Sequence, residues 1–278
     1  MLKAYLALFV CFSTKAVHLE LVSSLNVEAF LSTLDRFIAR RGLPQEIWSD
    51  NGKNFVGSER YISEVSHFLG QNNSDISEKL VSKSIKWKFI PPYAPHFGGL
   101  WEAGVKSAKR LLFIMLGTTA CIFEELATIF ARIEAVLNSR PIYPLSTDPS
   151  ESVDFLTPGH FLIGAPLLSS PELSYDEFKT PLNRWEQHKK LFQQFWKKWS
   201  SDYLHTMLQR NKWHSENVCP SEGDLVLVKG VESSPATWPI GRILKLYPGP
   251  DGIIRVASAK TATGQYTRAL TKLVPLNL

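Results

Sequence analysis

Residues 26–52 read NVEAFLSTLDRFIARRGLPQEIWSDNG, and this stretch decides the fold class. Its apolar side chains recur at helical spacing and share one face: Phe30, Leu34, Phe37 and Ile38. The spacing predicts a helix over residues 26–41, which a glycine and a proline just beyond it end. EIWS then predicts a short buried strand that stops at Asp50, because Asn51 and Gly52 form a strong turn signal.

Strands are predicted on both sides of this stretch. Residues 4–12 and 16–22 predict a β-hairpin, in which apolar residues alternate with His18 and Glu20. Residues 85–92, IKWKFIPP, predict another strand that prolines close. Strand, helix and strand in this order predict an α/β sheet.

The whole chain is predicted to divide into three parts, which are residues 1–145, 146–215 and 216–278. Helices are expected at about 100–116 and 122–139, followed by a Pro- and Ser-rich irregular segment over residues 141–180. Residues 183–213 predict a basic helix with an aromatic face, composed of Trp185, Phe192, Phe195, Trp199, Tyr203 and Met207. Turn signals such as PGPDG then separate four or five short strands, which predict a small all-β barrel.

Charge is distributed unevenly along the chain. The net charge is +5, but residues 179–278 hold 15 Lys and Arg against 7 Asp and Glu. This excess predicts an anionic polymer as a partner. The three cysteines lie far apart and predict neither a disulfide framework nor a zinc cluster. No stretch predicts a membrane span or a signal peptide, so we expect a nuclear or cytoplasmic protein that is not secreted.

Two carboxylates occupy positions typical of catalysis on phosphate esters. Asp50 ends a predicted strand, and Glu102 begins a predicted helix behind a proline- and glycine-rich loop. Carboxylates from separate elements can converge on Mg²⁺, which favours oxygen ligands. Three cations follow Glu102 on the same helical face: Lys106, Lys109 and Arg110. Each feature alone is ordinary, since SDNG is usually a turn and a Glu–Lys pair four residues apart is common in helices.

Longer motifs add a family resemblance. These are SDNGKNFVG (49–57), WKFIPPYAPHFGGLWE (87–102), VKSAKRLL (105–112), EAVLNSRPIYPL (134–145) and LTPGHFLIG (156–164). Together they resemble the integrase region of BEL/Pao-type retrotransposon polyproteins, and the resemblance covers essentially the whole chain. It implies a ribonuclease H-like core, a helical linker and an SH3-like barrel.

The resemblance also implies DNA strand transfer by a DDE mechanism. Asp50 and Glu102 would be the second and third metal-binding carboxylates of a two-metal site for Mg²⁺ or Mn²⁺. The implied partners are the DNA of the element ends and of the target, together with further copies of the chain. The residues expected to contact DNA are Lys53, Asn54, His96, Lys106, Lys109 and Arg110.

One departure concerns the first aspartate of the triad, which belongs to the first strand of the family fold. From the resemblance we expect that strand to be absent from the given sequence, and neither Glu20 nor Asp35 is expected to replace the missing acid. We therefore expect an incomplete metal site, two unpaired strand edges and a chain that is inactive alone, as part of a longer polyprotein.

Two alternatives from other functional classes remain open at this stage. The chain could be a non-catalytic, domesticated DNA-binding protein that uses the basic helix and the barrel. The barrel could instead bind protein, because small barrels support many functions. Trp238, Tyr247 and Tyr266 bear on that choice, and we expect them to be core residues rather than a surface aromatic site.

Overall fold

The computed structural model describes residues 3–72, 85–91, 99, 109, 112–113, 121–145, 154–168, 183–207, 220–231 and 233–276. These residues form a mixed α/β structure, as predicted. The chain divides into two compact units. The first comprises Met1–Ser13, Val17–Arg110 and Cys121–Ala131, and the second comprises Thr14–Ala16, Leu111–Ala120 and Arg132–Leu278. No helix among the described residues is both long and apolar enough to cross a membrane.

The first unit begins with the predicted hairpin. Strands β1 (Tyr5–Val10) and β2 (Val17–Val22) pair antiparallel, with Tyr5 opposite Val22. Helix α1 (Val27–Arg41) follows, and the Asn26 side chain accepts a hydrogen bond from the Ala29 N–H at its start. Gly42 ends the helix with φ 88°, a conformation that glycine adopts without steric cost. The predicted hairpin and helix are thus both confirmed.

A parallel strand pair completes the described part of the first unit's sheet structure. Strand β3 (Glu46–Ser49) pairs with β4 (Lys86–Phe89), and helix α2 (Lys53–Asn72) lies between them in the chain. Among the described residues, β1 pairs only with β2 and β3 only with β4. The ribonuclease H-like core itself stays a prediction.

Helix α1 packs against both strand pairs through one aromatic residue. The Phe30 ring lies 6.4 Å from that of Phe9 in β1 and 5.9 Å from that of Trp87 in β4. The ring of Phe55 in α2 contacts the Phe30 ring edge-on, with the two ring centroids 4.9 Å apart. Phe30 is itself buried, so it belongs to the hydrophobic core of this unit.

All six residues of β2 are buried, including the two that alternation placed on a polar face. The Glu20 carboxylate accepts hydrogen bonds from Arg36 Nε at 2.9 Å and Arg40 Nη1 at 2.7 Å, while His18 Nε2 lies 3.2 Å away. Because both carboxylate oxygens are engaged by cations of α1, the charge is compensated inside the protein. The face of β2 that carries His18 and Glu20 is therefore the one that α1 covers.

Helix α3 (Phe123–Asn138) crosses the division between the units and confirms the helix predicted over 122–139. In the second unit it is followed by two paired short strands, β5 (Tyr143–Pro144) and β6 (Phe155–Leu156), and by the one-turn helix α4 (His160–Ile163). The predicted helix over 100–116 lies outside the described residues, apart from a few isolated positions.

Helix α5 (Arg184–Met207) presents the predicted aromatic face to the core of the second unit. Three residues of that face, Phe192, Phe195 and Trp199, are buried, and so is Trp196, which the prediction did not include. Trp196 Nε1 donates to the carbonyl oxygen of Ser233 at 3.0 Å, and its ring meets Trp238 at 5.0 Å. Trp185 departs from the prediction because it is 63% exposed, with Lys189 Nζ 3.8 Å from its ring centroid.

The C-terminal strands form one antiparallel sheet, as the turn signals predicted. Its strands are β7 (Leu225–Val228), β8 (Ile240–Pro248), β9 (Ile254–Thr261), β10 (Gly264–Ala269) and β11 (Leu273–Pro275). Their order across the sheet is β10-β9-β8-β7-β11. Buried side chains from four of these strands form a single core: Val226, Val228, Ile243, Ala257, Ala259 and Leu273. An SH3-like closure of this sheet stays a prediction.

Candidate active site

Asp50 lies at the carboxyl end of β3, where the parallel pair β3–β4 ends. The backbone N–H of Ile90 donates to the Ser49 oxygen at 3.0 Å, which extends the pairing to the last residue before Asp50. The Asp50 side chain is exposed, and its Oδ1 accepts the Gly52 N–H at 2.9 Å. This Asx turn fixes the direction of the carboxylate and leaves Oδ2 without a hydrogen bond from a described residue.

Asn51 ties the ends of the two strands together. Its Nδ2 donates to the carbonyl oxygen of Ile90 at 2.9 Å, across 39 residues of sequence. Two further hydrogen bonds lie next to this one. Trp87 Nε1 donates to the Ser49 hydroxyl at 2.9 Å, and the Ser49 hydroxyl donates to the Asp50 carbonyl oxygen at 2.9 Å. The backbone that carries Asp50 is therefore held to β4 by side chains from both strands.

Gly52 is the tightest position of this turn. A Cβ atom there would lie 3.0 Å from both Asp50 Oδ1 and Asn54 Oδ1, closer than ordinary van der Waals contact. The Gly52 carbonyl then accepts from the N–H groups of Phe55 and Val56, which starts α2. A larger residue at 52 would push the Asp50 carboxylate out of its present position.

Three of the predicted site residues are brought together by this turn. Asp50 precedes Lys53 and Asn54 at the start of α2, with Lys53 exposed and Asn54 half-buried. Lys109 is described and exposed. The other predicted residues lie outside the described part of the chain, and their convergence with Asp50 stays a prediction: His96, Glu102, Lys106 and Arg110.

The donor chemistry of Asp50 suits a hard divalent cation, because it offers a free carboxylate oxygen beside open solvent. Among the described residues, no set of three or more ligating side chains includes Asp50. Glu20 is not available as a ligand, since Arg36 and Arg40 occupy its two oxygens, and Asp35 is an exposed residue of α1.

Sequence reasoning missed the tethering role of Asn51, because the Asn-Gly pair was interpreted only as a turn signal. It also missed Arg140, which is part of the NSRP motif. The Arg140 guanidinium donates to the carbonyl oxygens of Leu137 and Lys15, and burial lowers its pKa. The neighbouring Tyr203 donates to the Pro141 oxygen at 3.2 Å, and burial raises its pKa. The motif residue thus has a structural role inside the second unit.

The three aromatic residues of the C-terminal region differ in environment. Trp238 is 5% exposed and contacts Trp196, Trp199 and Tyr203, which confirms it as a core residue. Tyr266 is half-buried and packs against the hydrophobic core of the C-terminal sheet. Tyr247 is 39% exposed, so the expectation of a core position is wrong there. Lys245 Nζ lies 5.7 Å from the centroid of the Tyr247 ring.

The chain was compared with known protein families, curated proteins and solved structures. A family of unknown function (DUF5641) matches residues 183–276, which contain α5 and the whole five-stranded sheet. No curated protein matched the chain. Among solved structures, the chain is similar to one from a simian T-cell lymphotropic virus intasome in complex with the PP2A regulatory subunit B56 gamma. The identity is 13% and the TM-score 0.38, over 98% of this chain and 76% of that chain.

Proposed function

We propose that the chain is the integrase region of a BEL/Pao-type retrotransposon, a DNA-binding protein that derives from a metal-dependent strand transferase. The observation that carries the proposal is the placement of Asp50. It ends β3 beside the end of β4, and the WKFIPPYAPHFGGLWE motif runs from β4 directly to Glu102. The two acids of the resemblance thus follow neighbouring parallel strands.

In this proposal Asp50 and Glu102 hold Mg²⁺ or Mn²⁺. The bound metal supplies activation of an attacking oxygen and stabilisation of a leaving oxygen in phosphoryl transfer. The chain's own residues bind and orient the DNA. Lys53 and Asn54 stand at the start of α2, immediately after the turn that fixes Asp50, so donors for phosphate oxygens follow the carboxylate directly. His96, Lys106, Lys109 and Arg110 are the further DNA contacts of the proposal.

Strand transfer is not expected of this chain alone. The resemblance calls for three carboxylates, and the printed sequence matches its motifs at two of them. Among the described residues, the two other acids considered for the third role are engaged by arginines or exposed on α1. Further copies of the chain and the DNA of the element ends are proposed partners.

A titration of the full chain with Mn²⁺ tests the metal proposal. We expect binding that Asp50→Asn and Glu102→Gln each remove, whereas Glu124→Gln, an exposed acid in the first turn of α3, leaves it unchanged. Manganese binding that survives both substitutions would contradict the assignment. Metal-dependent joining of element-end DNA by the unmodified chain would contradict its proposed inactivity.

The non-catalytic alternative is supported by a separate observation, the excess of cations over residues 179–278. For this alternative we expect salt-dependent DNA binding whose affinity does not change when Asp50 or Glu102 is replaced. Measuring DNA affinity with and without Mn²⁺ separates the two candidates. An increase in affinity with Mn²⁺ that requires Asp50 favours the integrase assignment.

A further inference from the structure

The solvent-facing side of the parallel pair β3–β4 is charged except at one position. Strand alternation places Glu46, Trp48, Lys86 and Lys88 on this side, and all four residues are exposed. The opposite side packs against the aromatic residues of α1 and α2 through Trp87. Trp48 is therefore a large aromatic side chain on a face that is otherwise charged, with 39% of its surface exposed.

A second exposed aromatic residue contacts this tryptophan. Phe12 follows β1 and is 48% exposed. Its ring meets the Trp48 ring edge-on, with the two ring centroids 6.1 Å apart. This arrangement is favourable because the positive edge of one ring faces the negative face of the other. Phe12 and Trp48 together form an aromatic surface that is open to solvent, and we call these two residues the aromatic platform.

Charged neighbours hold the indole of the platform in place. Lys88 lies opposite Trp48 in the parallel register, and its Nζ is 5.0 Å from the Trp48 ring centroid. The same ammonium donates to Glu46 Oε2 at 2.9 Å. This hydrogen bond is the main cause that lowers the pKa of Glu46, and a hydrogen bond from the Trp48 side chain lowers it further. A ring that is already held loses little conformational freedom when a ligand binds.

The aromatic platform lies next to the proposed metal ligand. Asp50 follows Trp48 by two residues, and the Ile90 N–H continues the strand pairing to the last residue before Asp50. Continued alternation places Trp48 and Asp50 on the same side of the strand, about 7 Å apart along it. Both side chains are exposed. A substrate held at the Asp50 carboxylate can therefore reach the Trp48 ring.

We propose that Trp48 stacks on an unpaired base at the end of a DNA substrate whose phosphate lies at Asp50. Every base has an aromatic face, and aromatic side chains beside a strand are typical of sites that bind unpaired nucleotides. Trp48 is in this way a specificity-determining residue, because it favours an unpaired DNA end over a blunt one. The inference rests on the proposed function for its substrate, DNA, and it requires neither a bound metal nor the C-terminal sheet.

Fluorescence anisotropy on the full chain in EDTA tests this preference with two labelled duplexes, one blunt and one with a short unpaired tail. The unmodified chain should bind the tailed duplex more tightly. Trp48→Ala is expected to weaken binding of the tailed duplex about tenfold and that of the blunt duplex by less than about twofold. Trp48→Phe should keep most of the preference because it keeps an aromatic ring. The slope of log affinity against log salt should not change, since the indole carries no charge.

Trp185→Ala is the matched control for the loss of an exposed indole. Trp185 is 63% exposed and has a lysine above its ring, with Lys189 Nζ 3.8 Å from the ring centroid. It belongs to α5 and not to the strand that leads to Asp50. The variant should keep the preference for the tailed duplex. An equal loss of preference in Trp48→Ala and Trp185→Ala would overturn the inference.

A fluorescent base distinguishes stacking from a structural effect of the substitution. Pyrrolocytosine in the unpaired tail should lose emission when the unmodified chain binds, because stacking quenches it, and Trp48→Ala should remove this change. Abasic sugars in the tail should abolish the preference of the unmodified chain. The inference is overturned if the unmodified chain binds tailed, abasic and blunt duplexes equally or if the emission does not change. Absence of binding to all three duplexes would contradict the proposed function itself, so the two failures differ.

Discussion

The side-chain amide of Asn51 donates to the main-chain oxygen of Ile90 at 2.9 Å, and this single bond joins the ends of two parallel strands. Asn51 and Ile90 are 39 residues apart in sequence. Asp50 precedes Asn51 in the sequence. The position of Asp50 relative to the end of β4 therefore depends on a residue that is not itself a proposed metal ligand.

Replacing Asn51 tests this tether. Asn51→Asp keeps the shape of the side chain but removes the N–H donor, so we expect the free energy of unfolding to fall by about 1 kcal/mol. Asn51→Ala should lose a similar amount, and both are measured by urea unfolding. Lys53→Ala, an exposed neighbour, should stay within about 0.5 kcal/mol of the unmodified protein. Equal stability of Asn51→Asp and the unmodified chain would show that the bond does not hold the strands.

Glu20 joins the hairpin to α1 through charge. Glu20→Gln leaves Arg36 and Arg40 without a carboxylate partner at a buried position, and we expect a loss of about 2 kcal/mol. The loss stays below that of a fully buried pair because both arginines are partly exposed and regain water. Glu28→Gln, an exposed acid in the first turn of α1, is the control with a small effect. Thermal and urea unfolding of the two variants provide the comparison.

Two tryptophans of α5 differ in burial, since Trp196 is packed in the core and Trp185 is exposed. Trp196→Phe keeps an aromatic ring against Trp238 but loses the hydrogen bond to Ser233, which should cost about 1 kcal/mol. Trp185→Phe should change stability by less than about 0.5 kcal/mol, because that side chain is exposed. Chemical unfolding monitored by circular dichroism measures both. A larger loss for Trp185→Phe would contradict the packing of α5.

The ion pair between Asp251 and Arg255 predicts that the stability of the folded protein depends on pH. Its hydrogen bonds to Arg255 are the main cause that lowers the Asp251 pKa from 3.8 to about 2. Because the Asp251 pKa is lower in the folded state than in the unfolded state, the ionised carboxylate stabilises the folded protein at pH values above the unfolded-state pKa. This stabilisation is lost as the pH falls through the folded-state pKa. The stability difference between the unmodified chain and Asp251→Asn should therefore narrow between pH 4 and pH 2.

An NMR titration of the Asp251 carboxyl group checks the cause of this pH dependence. Arg255→Ala should return the Asp251 pKa toward 3.8, since the guanidinium donates two of the hydrogen bonds that hold the carboxylate ionised. Added salt should reduce the shift, because both side chains are exposed. An unchanged pKa in Arg255→Ala would assign the shift to the backbone of the turn instead.

Local patterns predicted most of the described elements. Apolar spacing and the residues after position 41 identified α1, and turn signals such as PGPDG identified the strands of the C-terminal sheet. Trp185 shows the limit of such reasoning. It has the same spacing as the buried aromatics of α5, yet it is exposed, because periodicity does not reveal where a helix extends beyond its packing partner.

The sequence by itself determined which residues form helices and strands, since side-chain spacing, caps and turn residues act over a few positions. Tertiary structure alone decided the partners of polar groups. Alternation placed Glu20 on a polar face, but packing of α1 buried it between two arginines. Asn51 is an ordinary turn residue until β3 and β4 pair beside it. Hydrogen bonds and burial across tens of residues depend on that packing, and no local pattern encodes them.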